Sequence, residues 1–178
     1  MRIFLSVILF LFTAFQSVNA GGIPGALAGI LSTLNLEIQG KVIRVLDGDT
    51  IEIKTLPAKI VVYEVPIRVR LINIDAPEKK QPFGRWSTSQ LKTLVAGKQV
   101  TVSYSHKDRY GRIIGHVFTT NGTDASRFMV QSGAAWVYER YNEDESLPAL
   151  QREAQEQKRG LWADANPVPP WEWRYKHN

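Results

Sequence analysis

The chain contains no cysteine. Disulfides, thiolate zinc sites and lipid attachment through a cysteine are therefore excluded, and stability has to come from packing or bound ligands. Histidine is scarce too: only His106, His116 and His177 occur, scattered through the chain, which argues further against zinc. A large excess of one charge sign is also missing. Lysine and arginine number 22 against 17 acidic residues, a formal net charge of +5. That is a mild attraction for polyanions and does not by itself specify one. There is no internal repeat, and 178 residues suffice for one domain with a core but not for two.

The distinctive features begin at the N-terminus. Arg2 makes a short basic start, residues 3–15 are an apolar run, and Val18-Asn19-Ala20 is a small-residue cleavage site. The pattern predicts a secretory signal over residues 1–20, too short for a comfortable membrane span. Cleavage near Ala20 would leave a periplasmic or secreted protein with no transmembrane anchor. An uncleaved anchor is the competing reading. Residues 21–39, small and apolar with interspersed Gly and Pro, are expected to form a linker or a weak helix.

From Lys41 the signals turn to β. Residues 42–46 and 50–54 read as strands around an Asp47-Gly48-Asp49 turn, and residues 60–74 carry a second β-rich run. Ser87 with Gln90 three positions on resembles a capping box, with Trp86 and Leu91 at the staple positions; it predicts a helix closed by Gly97. Residues 99–105 and 113–119 form two more strands, with Asn121-Gly122 as a turn after them. Asp124 should cap a short helix, and residues 146–159 a polar one closed by Gly160. The tail 163–178, rich in proline and aromatics, is expected to lack regular structure. Five short strands interrupted by about three helices suit an α+β fold built on a small five-stranded OB-type barrel; an open sheet with packed helices is the alternative.

The stretch RLINIDAPE at 70–78 carries the first chemical signal. Arg70 stands before an apolar segment, with Asp75 and Glu78 after it. Taken singly, each could be a solvated strand end or a strand stop. Asp49, in VLDGDTIEI, changes the balance because it shares parity with Ile51 and Ile53 and so leans inward. A buried carboxylate is costly without a partner, and a cation supplies one. Aspartates at strand ends with backbone carbonyls make an all-oxygen site, which suits Ca²⁺ best and Mg²⁺ second. A third segment, KDRYGRIIG at 107–115, puts Lys107, Arg109 and Arg112 into one turn. It is either a solvated hairpin or a guanidinium group aimed at phosphate.

VLDGDT, RLINIDAPE and DRYGR, in that order, resemble the thermonuclease (staphylococcal nuclease) family. The likeness runs over about residues 40–162, the expected nuclease domain. It implies a five-stranded OB barrel and places Asp49, Asp75 and the carbonyl of Ala76 on Ca²⁺. By the same resemblance, Glu78 would be the general base, and Arg70 and Arg112 would grip the scissile phosphate. Family products from DNA and RNA carry a 5′-hydroxyl and a 3′-phosphate. Two departures stand out: Ala76 where many relatives have Thr, and a longer segment at about 55–66. Tyr141 matches one base-stacking tyrosine of the family, while Glu139 falls where another would stand. Tyr138 is its substitute or, like Trp136, a core residue. Arg109 is a further candidate for substrate contact.

The resulting expectation is an exported, Ca²⁺-dependent, sugar-non-specific nuclease acting on DNA and RNA as a monomer without a stable protein partner. The alternative is a non-catalytic OB-fold nucleic-acid-binding module of the cell envelope. Such a module can discard the carboxylates and keep the basic surface, whereas this chain has Asp49, Asp75 and Glu78 together with both arginines. A cell-envelope protein docking through 21–38 or the aromatic tail is the third reading.

Overall fold

Five strands of alternating apolar residues close into a barrel. The computed structural model describes residues 36–55 and 66–177, all within one compact unit, Asn35–Asn178. The predicted signal at 1–20, most of the 21–39 segment and residues 56–65 of the longer insertion lie outside the described residues. The strands are β1 (Leu36–Val45), β2 (Thr50–Thr55), β3 (Ile67–Leu71), β4 (Ile74–Asp75), β5 (Gln99–Lys107), β6 (Ile113–Thr119) and β7 (Trp136–Val137). The closed barrel runs in the order β1-β2-β3-β6-β5, with β4 and β7 as a separate two-stranded ribbon. Only β3 and β6 pair in parallel; the other barrel pairs are antiparallel. This is the OB-type barrel expected from the strand pattern.

Closure hides the alternating residues. Ile51, Ile53, Val69, Leu71, Val102, Ile113 and Val117 have almost no exposure and fill the interior. A bulge in β1 shifts the register between Val42 and Arg44, so the buried positions run Gly40, Val42 and then Val45. On the outer face Arg44, Glu52 and Arg68 stand opposite one another on three neighbouring strands, and both arginines bond the Glu52 carboxylate at 2.9 Å.

Among the described residues four α-helices surround the barrel: α1 (Gly84–Val95), α2 (Ala125–Gln131), α3 (Leu147–Glu156) and α4 (Pro170–His177). Three expectations need correction. Helix α1 starts before Ser87, at an N-cap Phe83 with φ 64° and no side-chain cap bond. Gly84 dictates this start, because a Cβ there would lie 1.8 Å from the Glu78 carbonyl oxygen. Ser87 is instead a buried packing residue, in series with Leu91 and Val95 on the inward face. Residues 36–39, read as linker, are the first part of β1. The tail is not irregular either: Pro170 opens α4, where its missing N–H costs nothing, and the Pro169 carbonyl accepts from Glu172 and Trp173. Asp124 does cap α2, its Oδ1 accepting from the Arg127 amide, and Gly97 follows α1 with φ 71°.

Candidate active site

Three tight turns at one end of the barrel frame the site. The first, Asp47-Gly48-Asp49, links β1 to β2. It is fixed by Leu46 N–H to Thr50 O and, across to β3, by Leu71 N–H to Asp49 O, both 2.8 Å. Gly48 is obligatory here: a Cβ would meet Ser87 Oγ at 1.9 Å and the Ala76 Cβ at 2.7 Å. The turn is thus pressed between α1 and Ala76, which buries Asp49 to 6% exposure. Its Oδ1 accepts from Thr50 Oγ1 at 2.9 Å and its Oδ2 from the Ala76 amide at 2.8 Å. Arg70 Nη1 completes the set at 2.7 Å from Oδ2.

The second turn corrects the sequence reading of a strand continuous through residue 74. Strand β3 stops at Leu71, Ile72 and Asn73 turn, and only then does the short β4 begin. Asn73 adopts φ 71°, a conformation that asparagine tolerates better than most residues. Its Oδ1 accepts from the Glu143 amide and its carbonyl from the Tyr138 amide. The reversal brings Asp75 back to Arg70 instead of holding the two at opposite ends of a rod. Arg70 Nη2 reaches Asp75 Oδ1 at 2.9 Å, and Nη1 also donates to the Ile74 carbonyl at 3.1 Å. One guanidinium group therefore spans both aspartates.

The third turn is Asp108–Arg112, between β5 and β6. Asp108 organises it, accepting from the Tyr110 and Arg112 amides and, at 2.7 Å, from Arg112 Nε. Burial works against the charge on Asp108, but these donors outweigh it and hold its carboxyl below the usual range. Arg112 is partly buried and pointed by this pair, whereas Arg109 is exposed, stacked over the Tyr110 ring at 4.8 Å.

All nine residues singled out in the sequence, Asp49, Arg70, Asp75, Ala76, Glu78, Arg109, Arg112, Tyr138 and Tyr141, line one cavity of about 980 Å³. Tyr138 and Tyr141 meet edge to face at 5.0 Å on its wall. Glu78 is half-buried at the rim, its amide donating to Gln81 Oε1 at 3.0 Å. Two further residues belong to the site and escaped the sequence reading. Asp47 lines the cavity beside Asp49; burial and the Asp49 charge push its carboxyl up to about 7. The VLDGDT motif holds the signal for it, since two aspartates flank one glycine. The other is Arg174, on α4. Its Nη2 lies 2.7 Å from Asp75 Oδ2, and its Nη1 2.9 Å from Glu78 Oε1 and 3.2 Å from Asp75 Oδ1. No local pattern announces it, because the pairing spans 99 positions.

The cavity carries both signs of charge. Four carboxyl groups (Asp47, Asp49, Asp75 and Glu78) stand with the guanidinium groups of Arg70 and Arg174, while Asp108, Glu143, Arg109, Arg112 and Arg140 line the rest. Burial pushes the Asp75 carboxyl up, and Asp49 adds to this, while Arg174 and Arg70 pull it down without cancelling the rise. Among the described residues, no three His, Asp or Glu side chains are gathered round a single point ready to hold an ion. The donor set is nevertheless all oxygen, which suits a hard divalent cation.

Comparison with known proteins accounts for this combination of barrel, carboxylates and arginines. Residues 68–164 match the family described as staphylococcal nuclease homologue. The chain belongs to the staphylococcal nuclease family. Membership makes it a nuclease hydrolase, and the carboxylate–guanidinium cavity its candidate active site. The chain is 59% identical to an uncharacterized endonuclease of Escherichia coli over 140 residues, which is 79% of this chain and 87% of that protein. It is 38% identical to a micrococcal nuclease of Shigella flexneri over 148 residues, 78% of this chain and 81% of the other. Protein ParB of Escherichia coli is 39% identical over 153 residues, 80% of this chain and 82% of its own length.

Proposed function

We propose that this nuclease is exported and depends on Ca²⁺, and that it hydrolyses phosphodiester bonds of DNA and RNA alike to leave 5′-hydroxyl and 3′-phosphate ends. The observation that carries the reading is the clustering of carboxyl groups: Asp49 and Asp75, bridged by the Arg70 guanidinium group, line one cavity with Asp47 and Glu78, and Arg112 lines it from the β5–β6 turn. Export rests on the signal-like pattern of residues 1–20. Asp49, Asp75 and the Ala76 carbonyl would hold the cation, with Asp47 beside them. When bound it supplies positive charge against the phosphate, whose own anion repels a nucleophile.

The protein's own groups carry the remaining work. Glu78, half-exposed at the rim, takes a proton from water at a carboxylate oxygen as that water attacks phosphorus. Arg112 offers its guanidinium N–H groups to the non-bridging oxygens, and Arg70 faces the same phosphate from the β3 side. The bond from phosphorus to O5′ breaks. The departing oxygen gains a proton as the 5′-hydroxyl, and the phosphate stays on the 3′ side. Tyr138 and Tyr141 offer ring faces to the neighbouring bases, a contact indifferent to sequence.

Product-end analysis tests this. Oligonucleotides of DNA and of RNA, labelled at the 5′ end and digested with Ca²⁺, should yield fragments that shift on phosphatase treatment, the mark of a 3′-phosphate. Fragments bearing 3′-hydroxyl ends would overturn the assigned direction of cleavage. Absence of cleavage under any divalent cation would favour the non-catalytic binding module.

A further inference from the structure

Helix α4 stands inside the candidate active site, although nothing in the proposed reaction uses it. Two of its side chains occupy two different functions of the cavity. Arg174 takes both oxygens of Asp75 and one of Glu78. Those oxygens are the acceptors that a cation and an attacking water would need. One turn earlier, Trp171 lies flat on Tyr138, with ring centroids 5.5 Å apart and planes 9° from parallel, and meets Trp136 edge-on at 5.7 Å. The ring face that a base would use is thus covered by an indole.

The helix is held by little else. Pro170 is its one buried residue, and Tyr175 is 89% exposed, so α4 has no apolar face sunk into the core. Upstream, the Val168 carbonyl accepts from Gln81 Nε2 at 2.6 Å, which tethers the approach to the helix and not its far end. A segment fixed by one ion-pair cluster, two ring contacts of Trp171 and the buried Pro170, with no apolar face in the core, is of the kind that opens locally. The pairing itself is strong in charge terms. Burial disfavours the Arg174 cation, yet its bonds to Asp75 and Glu78 outweigh that and raise it above the ordinary arginine value.

We propose that α4 is an autoinhibitory plug: Arg174 stands in for the divalent cation at Asp75 and blocks the Glu78 carboxylate that the attacking water would need, Trp171 stands in for a base on Tyr138, and cation binding displaces the helix. The inference rests on the cation-dependent reading of the site. It adds that Arg174 and the ion compete for the Asp75 oxygens, so the free enzyme is closed and the cation concentration sets its opening. A competitor built into the chain weakens the apparent affinity by the fraction of molecules in which the helix is undocked. The consequence is a nuclease silent where divalent ions are scarce and active where they are abundant.

The test is Ca²⁺ binding by calorimetry on the full chain without substrate, for the parent and for Arg174→Ala, Arg174→Lys, Trp171→Ala and Lys176→Ala. Removing Arg174 is expected to tighten binding at least about tenfold, with the lysine variant between it and the parent. Trp171→Ala decides between displacement and simple charge removal. It touches no carboxylate and alters no charge, yet it should tighten Ca²⁺ binding several-fold, because undocking either anchor frees the other. Lys176→Ala removes one charge from the exposed end of the same helix and should shift affinity by less than about twofold. In parallel, a short single-stranded oligodeoxynucleotide in chelator should bind Trp171→Ala more tightly than the parent. Equal Ca²⁺ affinity in parent, Arg174→Ala and Trp171→Ala would overturn the plug while leaving the cation site intact. If no variant binds Ca²⁺, the cation reading falls and the plug with it. Melting curves confirm that each variant is folded.

Discussion

Single side chains carry the sharpest chemical predictions. Glu78→Gln keeps the shape and most of the packing of a half-exposed residue but cannot accept a proton. Turnover should fall by about 10²- to 10⁴-fold, with the melting temperature within a few degrees of the parent's, as steady-state cleavage and a thermal scan will read. Arg112 has a second partner, Asp108, so Arg112→Ala removes a phosphate contact and also frees Asp108. A loss of about 10²- to 10³-fold in turnover is expected, together with a less stable hairpin. His116 makes a prediction of another kind. Its bond to Asp124, which also caps α2, outweighs burial and raises its value above 6.5 in the folded chain. A raised histidine adds stability that is complete below its unfolded value and fades as pH rises through the folded one. The stability lost in His116→Gln should therefore be largest below the free-histidine value and fade as pH rises past the raised folded one, as denaturant titrations at a series of pH values will show.

At the scale of elements, the turn at Ile72-Asn73 matters most. It converts a strand into a clamp, bringing Asp75 back to Arg70 and fastening the Tyr138–Tyr141 wall through the Asn73 bonds to Glu143 and Tyr138. Asn73→Val places a β-branched residue at positive φ and deletes an acceptor. A loss of about 1–3 kcal/mol in urea unfolding is expected, with activity falling further than stability because both arms of the site shift. Little of this was legible in sequence. LINI alternates as a strand would, and only the asparagine hints that the chain can turn left-handed there. Helix α1 misled in a related way. Ser87 and Gln90 imitate a cap, yet the start is set by Gly84 fitting against the Glu78 carbonyl, a tertiary contact invisible to local pattern. Asp124 was legible because a true cap acts on its own neighbours.

For the whole molecule, what could be read from sequence and what could not divide along the same line. The barrel follows from strands whose apolar alternation is local, and seven of the nine singled-out cavity residues from three motifs in a fixed order, Tyr138 and Tyr141 lying outside them. Asp47 shares the parity of Asp49, Ile51 and Ile53 and was legible in the motif, but it reads there as the opening residue of a turn. Arg174 could not be found, since nothing in NPVPPWEWRYKHN indicates that its arginine returns to a carboxylate almost 100 positions earlier. The all-oxygen carboxyl cluster makes a prediction for the molecule entire. A cation that binds the folded chain alone should stabilise it by about 2.7 kcal/mol at a concentration one hundred times its Kd, and the midpoint of urea unfolding should climb with Ca²⁺ and fall back with chelator. The most direct measurement of the central claim is cleavage of labelled single-stranded DNA by the purified full chain in chelator, after Ca²⁺ is restored, and by Glu78→Gln under the same conditions. The account predicts no cutting in chelator, full recovery with Ca²⁺ and near silence from the variant. Cleavage that continues unchanged in chelator, or a Glu78→Gln enzyme as fast as the parent, would contradict it.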